Sequence, residues 1–149
     1  MKESSKNKKS LSKDEKDWFL EQAVDLANTG VFEIGITLNI GGAVVSGILT
    51  SGASFFEGIA KEARQAISNA DKEVLSKLAD LWEMPAQAYK PKDNEKDGSP
   101  RSWGFIHLRE ARFHAPGQSP IPGNGGVFWR GKLSSIDGFS LGNLQTSGK

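Results

Sequence analysis

The sequence contains no cysteine, and that absence removes several classes of site at once. Without a thiol the chain has no disulfide framework, no thiolate nucleophile, no sulfur-ligated zinc and no iron–sulfur cluster. It also has only two histidines, and no apolar run comes near the roughly 20 residues that cross a bilayer. We therefore expect no metal, no cofactor and no membrane-spanning segment.

An excess of charge of either sign is absent as well. The 149 residues carry 19 basic and 18 acidic side chains, which leaves a formal net charge of +1. Proteins that bind nucleic acid usually concentrate positive charge on one face. A nucleic-acid partner is therefore not expected, and net charge alone identifies no other partner.

Basic residues cluster only near the N-terminus, where lysines stand among serine and asparagine. Residues 1–11 have nothing to bury and are predicted to form a disordered lysine-rich tail, with a second tail at residues 145–149. No apolar run follows the lysines, as a signal peptide would require, so we expect a cytoplasmic protein. Residues 12–144 are predicted to fold as a single domain.

The first predicted element is an N-terminal helix over residues 13–28. Ser12 and Glu15 have the spacing of a capping box, and Asn28 and Gly30 are residue types that end helices. The apolar residues that repeat at helical spacing, and that we expect to face the core, are Phe19, Ala23, Leu26 and Ala27.

A β-hairpin is predicted next. Apolar residues alternate with polar or small ones from Phe32 to Ile40, which is the period of a half-buried strand. Gly41 and Gly42 supply a two-residue turn, and residues 43–50 return as the second strand. The register that places all apolar residues on one face pairs Ile40 with Ala43, Leu38 with Val45, Ile36 with Gly47 and Ile34 with Leu49.

A long helical insertion follows the hairpin. Ser54 and Glu57 again have capping-box spacing and predict a helix over residues 54–69. A second amphipathic stretch, residues 74–82, ends before Pro85 because proline disfavours helix in the residue that precedes it.

The remaining sequence alternates between loops and strands. Mobile loops are predicted at about residues 85–103, which are charged and rich in turn formers, and at residues 115–126, which are rich in proline and glycine. Phe105–His114 predicts a strand between them. Strands are also predicted at residues 127–136 and 139–144, joined as a hairpin by Asp137 and Gly138. The register of this hairpin stays open, because a strict two-residue turn sets Leu133 opposite Gly142, and a bulge or a longer turn is the alternative.

These elements predict an α+β fold with an N-terminal helix and a long helical insertion. The sheet is expected to be antiparallel and strongly curved, or a partly open small barrel, with about five strands, because glycines in the strands permit tight bends.

Catalytic motifs are absent. The sequence has no G-x-S-x-G or H-E-x-x-H motif, and its glycine clusters do not match a phosphate loop. His107 and His114 are an odd number of residues apart on a predicted strand, which places them on opposite faces unless a bulge intervenes. We therefore predict no catalytic, metal-binding or cofactor-binding residue, and no enzyme activity.

One predicted strand places aromatic residues beside cations. Such a strand can stack on RNA bases, and by analogy of fold alone the curved sheet looks like an Sm-type barrel. An Sm-like RNA-binding barrel is therefore the alternative function. Tryptophan and arginine are also enriched at protein interfaces, so the residues predicted to contact a protein partner are Trp129, Arg130 and Phe139.

Three blocks of the sequence resemble gas vesicle protein U. They are Ile36–Gly47, Phe105–His114 and Phe128–Leu144, in that order and with a variable polar linker before the second. The last block is the most specific, since it contains Trp129, Arg130, Gly131, Asp137, Gly138, Phe139 and Gly142 at the places that the family pattern suggests.

The resemblance covers residues 32–144 and implies an accessory role around gas vesicles. The implied partners are the vesicle shell or other gas vesicle proteins. Unpaired hairpin edges would in addition allow the protein to associate with itself as a homo-oligomer. The expected function is thus a noncatalytic accessory protein that self-associates and influences gas vesicle assembly or clustering.

Overall fold

A computed structural model of the protein describes residues 15–66, 71–92 and 101–144. Its five strands form one antiparallel sheet in the order β4-β3-β2-β1-β5. The strands are β1 (Ile34–Ile40), β2 (Ala43–Thr50), β3 (Phe105–His114), β4 (Val127–Lys132) and β5 (Gly138–Leu141). The helices are α1 (Trp18–Ala27), α2 (Gly52–Gln65), α3 (Lys72–Glu83) and the short α4 (Ala86–Tyr89).

The predicted α+β class and the five antiparallel strands are confirmed, and the sheet does not close into a barrel. The predicted tails at residues 1–11 and 145–149 lie outside the described residues. So do residues 93–100, within the loop predicted at about residues 85–103.

The β1–β2 hairpin forms in the predicted register. Ile36 lies opposite Gly47 and Leu38 opposite Val45. Gly41 and Gly42 both have positive φ, 54° and 85°, which the tight turn of a two-residue hairpin requires.

The predicted hairpin around Asp137 and Gly138 is wrong. β4 pairs with β3 and β5 pairs with β1, so the two strands lie at opposite edges of the sheet. A 3₁₀ turn at Leu133–Ser135 begins the crossing between them. A hairpin would have set Leu133 opposite a glycine, whereas pairing with β1 sets Phe139 opposite Leu38 and Leu141 opposite Ile36.

Asp137 stabilises the start of β5 instead of a turn within a hairpin. Its backbone N–H donates to the carbonyl of Asn39, at 2.8 Å. Its carboxylate accepts a hydrogen bond from the Gly41 N–H, at 2.7 Å. The β1–β2 turn and the residue just before the edge strand are thereby tied together.

Helix α1 begins later than the capping box suggested. Its N-cap is Asp17, whose carboxylate accepts hydrogen bonds from the Phe19 and Leu20 N–H groups. Ser12 lies outside the described residues. The buried face consists of Leu20, Val24 and Ala27, whereas Phe19 and Leu26 are about half exposed, so the predicted face is rotated.

The insertion also differs in detail from its prediction. α2 begins two residues early, because the Ser51 hydroxyl caps it by accepting from the Ser54 N–H. Residues 67–70 lie outside the described residues. α3 packs on α2 and ends before Pro85 as predicted. The stretch from 85 to 92 is not only loop, because α4 forms there.

The two faces of the sheet are covered by different helices. The α1 face carries the main apolar core, which comprises Ile36, Leu38, Val45, Leu49, Ile106 and Leu108 against Leu20, Val24 and Ala27. The α2 face carries His107, Phe128 and Arg130 under α2 and α4.

Residues 115–126 contain no helix and only one isolated bridge, between Phe113 and Ile121. A bulge in β3 lies beside this loop, where Glu110 has a positive φ of 51°. Beyond the bulge, the side chains of β3 that point to a given face are shifted by one residue. This shift determines on which faces His107 and His114 lie.

Candidate interaction surface

Arg130 lies in a cage of aromatic rings on the α2 face. Its guanidinium carbon is 3.7 Å from the centre of the Phe105 ring and 5.2 Å from that of Phe56. It donates a hydrogen bond to the Tyr89 hydroxyl, at 2.9 Å, and contacts Nε2 of His107. Planar stacking combined with directed N–H donors suits arginine better than lysine.

His107 is the buried centre of this cage. Burial first, and then the positive charge of Arg130, lower the pKa of His107 from 6.5 to about 3. The ring is therefore neutral at physiological pH. Because Nε2 faces a donor that has no acceptor capacity, we assign the proton to Nδ1.

Tyr89 closes the cage from α4. Its ring lies 5.1 Å from His107 and is stacked on Trp103 at 5.4 Å. This stacking explains why α4 forms in a stretch that the sequence marks as loop. The Arg130 cage is thus an internal cluster that fixes the helical insertion to the sheet.

Trp129 lies on the other face of the same strand. Its indole covers Gly131, where an added Cβ would lie 2.2 Å from Cη2 of the ring. It also lies beside Leu108 across the strand pair and packs against the core, partly buried. Trp129 and Arg130 therefore do not form one continuous surface, and a role for either in partner binding stays a prediction.

The two histidines share a face but lie far apart. His107 pairs with Thr50 and His114 with Val44, so the bulge in β3 brings both to the α2 face. This corrects the expectation of opposite faces. Six residues of β2 separate their partners, which is about 20 Å at strand spacing. Among the described residues no three histidine or carboxylate side chains gather in a way that would hold a metal.

The outer side of α1 borders an open groove of about 490 Å³. Two of its acidic residues already have partners, because Glu21 accepts from the Trp103 N–H at 2.8 Å and Asp25 accepts from its indole N–H at 2.7 Å. Burial alone would raise the pKa of Glu21, but the hydrogen bond from the Trp103 backbone N–H and the charge and hydrogen bond of Lys16 lower it below its usual value. The groove therefore presents few unsatisfied groups to a ligand.

A second ion-paired cluster lies on the α2 face. Glu33 accepts two hydrogen bonds from Arg109, at 2.7 and 3.0 Å, and one from the Thr50 hydroxyl. The Arg109 bonds are the main cause that lowers the pKa of Glu33. Arg109 also pairs with Glu110, at 3.1 Å. This cluster holds the start of β1 to β3.

The free side of β5 differs from all these clusters because it is apolar and exposed. Phe139, the third residue predicted to contact a partner, lies on the α1 face and stacks on Phe19 at 6.0 Å. Trp18 contacts Phe19 edge-on and is 68% exposed, and Leu141 is 65% exposed. We call Trp18, Phe19, Phe139 and Leu141 the β5 edge surface.

The backbone of β5 also has unpaired groups. Gly142 donates its N–H to the carbonyl of Gly35, which fixes the hydrogen-bonding phase of the β1–β5 ladder. Because that phase alternates along an antiparallel pair, the N–H and C=O groups of Phe139 and Leu141 point away from β1. No described strand pairs with them.

The chain leaves this edge uncovered after Gly142. Gly142 has a φ of 97° and turns the chain across the α2 face. There the Thr37 hydroxyl donates to the Gly142 carbonyl and the Leu144 N–H donates to the Ser46 hydroxyl. Residues 142–144 therefore lie over the sheet and not along its edge.

A second apolar stripe lies on α3 and its C-cap. Val74, Leu81, Trp82 and Met84 are exposed, while the opposite side of the helix packs on α2 through Ala79. The stripe has no unpaired backbone, because helical hydrogen bonds are internal. It is thus a less complete interaction surface than that at β5.

Sequence reasoning identified Phe139 but missed the other members of the β5 edge surface. The spacing of Phe19, Ala23 and Leu26 predicts a core position for Phe19, whereas Leu20, Val24 and Ala27 are the residues of α1 that are buried. The sequence did contain a signal for the other two residues. Leu141 lies in residues 138–144, which contain no charged residue, and Trp18 directly follows the helix cap Asp17.

No described helix is long and apolar enough to cross a lipid bilayer. No curated protein matches the sequence. No solved structure matches it either. A family model described as Gas vesicle protein GvpU-like matches residues 17–144, which include every strand and helix above. The resemblance seen in the three sequence blocks is thereby confirmed, and the chain belongs to the GvpU-like family of gas vesicle proteins.

Proposed function

We propose that this protein is a noncatalytic accessory protein that associates with itself and influences the assembly or clustering of gas vesicles. Family membership supports the connection to gas vesicles. The β5 edge surface is the single structural observation that supports self-association, because it joins exposed aromatic and aliphatic side chains to an unpaired strand.

Binding rather than catalysis is favoured by how the ionisable side chains are used. His107 is neutral and enclosed by rings, and Arg130 is occupied by Tyr89 and His107. Arg109 is occupied by Glu33 and Glu110. The groups best suited to proton transfer thus support packing, and we propose that the surface acts by contact alone.

The proposed location is the cytoplasm, at the surface of gas vesicles, and the proposed partners are the shell or other gas vesicle proteins. A protein with two interaction surfaces, one for its own copies and one for a vesicle, would bridge vesicles through multivalency. Bridging requires no change in the shell itself.

Purified protein mixed with purified gas vesicles tests this role. The vesicles are separated by centrifugation, and the protein in the vesicle fraction is quantified beside serum albumin as a control. Light scattering of the same mixtures reports clustering. We expect enrichment with the vesicles and an increase in particle size. Recovery equal to that of albumin, with no change in scattering, would contradict the proposal.

The alternative of an Sm-like RNA-binding barrel has less support. The sheet is open, and the residues expected to stack on bases are divided between two faces, with Trp129 on one and Arg130 caged on the other. A titration with single-stranded RNA at several salt concentrations distinguishes the two. Affinity that falls steeply as salt rises would favour the RNA alternative.

A further inference from the structure

The β5 edge surface is matched to a second copy of the same strand. We propose that two copies of the protein join by antiparallel pairing of their β5 edges, around a two-fold axis that passes beside Ser140. This inference rests on the proposed self-association and names the surface and the register that would produce it.

The register follows from which backbone groups are free. Phe139 and Leu141 point their N–H and C=O groups outward, whereas Ser140 directs its own toward β1. Antiparallel pairing centred on Ser140 places Phe139 of one copy opposite Leu141 of the second copy, and the reverse. All outward groups of both residues then find partners, as four hydrogen bonds.

The side chains agree with this register. Phe139 and Leu141 lie on the α1 face, so each cross-strand pair joins an aromatic ring to an aliphatic chain on one side of the extended sheet. Such pairs stabilise antiparallel sheets. The exposed Phe19 ring stacks on Phe139, and the exposed Trp18 ring contacts Phe19 in turn, so both extend the apolar area.

Charge favours a second copy of the chain as the occupant. A two-fold axis brings each residue near its own equivalent, so charged residues on the edge would repel one another. Residues 138–144 contain none. The β4 edge differs, because the exposed Lys132 would be placed near its counterpart in a symmetric pair.

Disulfide trapping tests the register directly, because the chain has no native cysteine. In the proposed dimer the two copies of residue 140 are direct neighbours, with Cβ atoms about 4.5 to 5.5 Å apart. We expect Ser140→Cys to form a covalent dimer rapidly under mild oxidation. Ser119→Cys, an exposed serine in the loop before β4, is the matched control and should stay monomeric on denaturing gels.

A charge placed on the edge tests the same interface without crosslinking. Leu141→Lys puts a cation on an exposed position, so folding is retained, which circular dichroism checks. Sedimentation velocity over a range of concentrations should show the dimer dissociation constant raised at least about tenfold. Val127→Lys introduces the same charge at an exposed position on β4 and should leave the constant unchanged.

The outcomes separate this inference from the proposed function. A Ser140→Cys variant that crosslinks no faster than Ser119→Cys, or a Leu141→Lys variant that associates like the wild type, would overturn the β5 pairing. Association that is lost instead in Leu81→Lys would place the interface on α3 and overturn it too. A wild-type protein that dimerises through β5 yet does not follow the vesicles would contradict only the vesicle role.

Discussion

The two edge strands of the sheet, β4 and β5, both have unpaired backbone groups, but they carry different side chains beside them. At β4 the outward backbone groups belong to Phe128, Arg130 and Lys132, because the Leu133 N–H donates to the Gly104 carbonyl and sets the phase. Lys132 carries an exposed charge there. At β5 the corresponding residues are Phe139 and Leu141, which are uncharged and apolar.

Natural sheets commonly protect a free edge with charge, and lysine is the residue most used. The β4 edge follows that rule and the β5 edge does not. The proposed β5 pairing accounts for this difference, since it leaves the β4 edge single and covers the β5 edge. Four pairs of substitutions test the comparison, in order of decreasing expected effect.

Removal of the cage at β4 should have the largest effect. Arg130→Met leaves the Tyr89 hydroxyl and the His107 Nε2 without their partner, so we expect a loss of about 2 to 4 kcal/mol of unfolding free energy. Urea denaturation measures it. Lys132→Ala, two residues away on the same edge, should change stability by less than about 0.5 kcal/mol. Equal effects would show that the cage contributes little.

The glycines of the two edge strands should respond differently to alanine. Gly131→Ala places a methyl group against the Trp129 indole and should cost about 1 to 3 kcal/mol. Gly138→Ala meets no atom within 4 Å and should be neutral or slightly stabilising. Thermal unfolding of both variants measures this difference. A tolerated Gly131→Ala would mean that Trp129 is free to move.

The Arg130 cage should also make the unfolding free energy of the protein depend on pH. The folded pKa of His107 is about 3 against 6.5 when unfolded, so the unfolded chain binds the extra proton between these values. The contribution of the neutral His107 ring to the unfolding free energy is therefore fully present above pH 6.5 and decreases as pH falls. Between pH 6.5 and 5 the decrease should be about 1 to 2 kcal/mol.

His107→Gln should flatten that part of the profile, since an amide oxygen still accepts from Arg130 but does not titrate. Urea denaturation at several pH values gives the slope. His114→Gln leaves His107 in place and is the matched control. A profile unchanged by His107→Gln would contradict the assignment of a neutral, enclosed ring.

The smallest effect is expected at the start of β5. Asp137→Ala removes the acceptor for the Gly41 N–H and should cost about 1 kcal/mol. Asp137→Asn retains an acceptor oxygen and should therefore keep most of the stability that Asp137→Ala loses. Hydrogen exchange of the Gly41 amide reports the bond directly. Unaltered exchange in Asp137→Ala would show that the carboxylate does not hold the turn.

Local signals predicted the fold well where structure is local. The β1–β2 register followed from alternation and the Gly41–Gly42 turn, because both act over adjacent residues. The Asp137–Gly138 signal failed for a different reason. A turn dipeptide reports only backbone preference, whereas the partner of β5 was decided by apolar pairing with Leu38, about a hundred residues away.

The candidate site was partly predictable for the same reason. Phe139 was found through the family block, but its neighbours depend on how α1 is rotated, and the true cap is Asp17 instead of Ser12. Tyr89 had no local signal at all, because α4 is fixed by its contacts with Trp103 and the Arg130 cage. Tertiary contacts, not propensity, made that helix.

The crossing from β4 to β5 has a consequence for synthesis. Thr37 and Gly142, which share a hydrogen bond, are separated by 105 positions. The outer edge of β1 therefore stays unpaired until β5, the last strand, has emerged from the ribosome. Pairing is then slow, because loop closure over that distance is slow. During that interval a newly made chain exposes the edge of β1 that β5 later covers. Dependence on chaperones should therefore be greatest for chains stalled before Gly138.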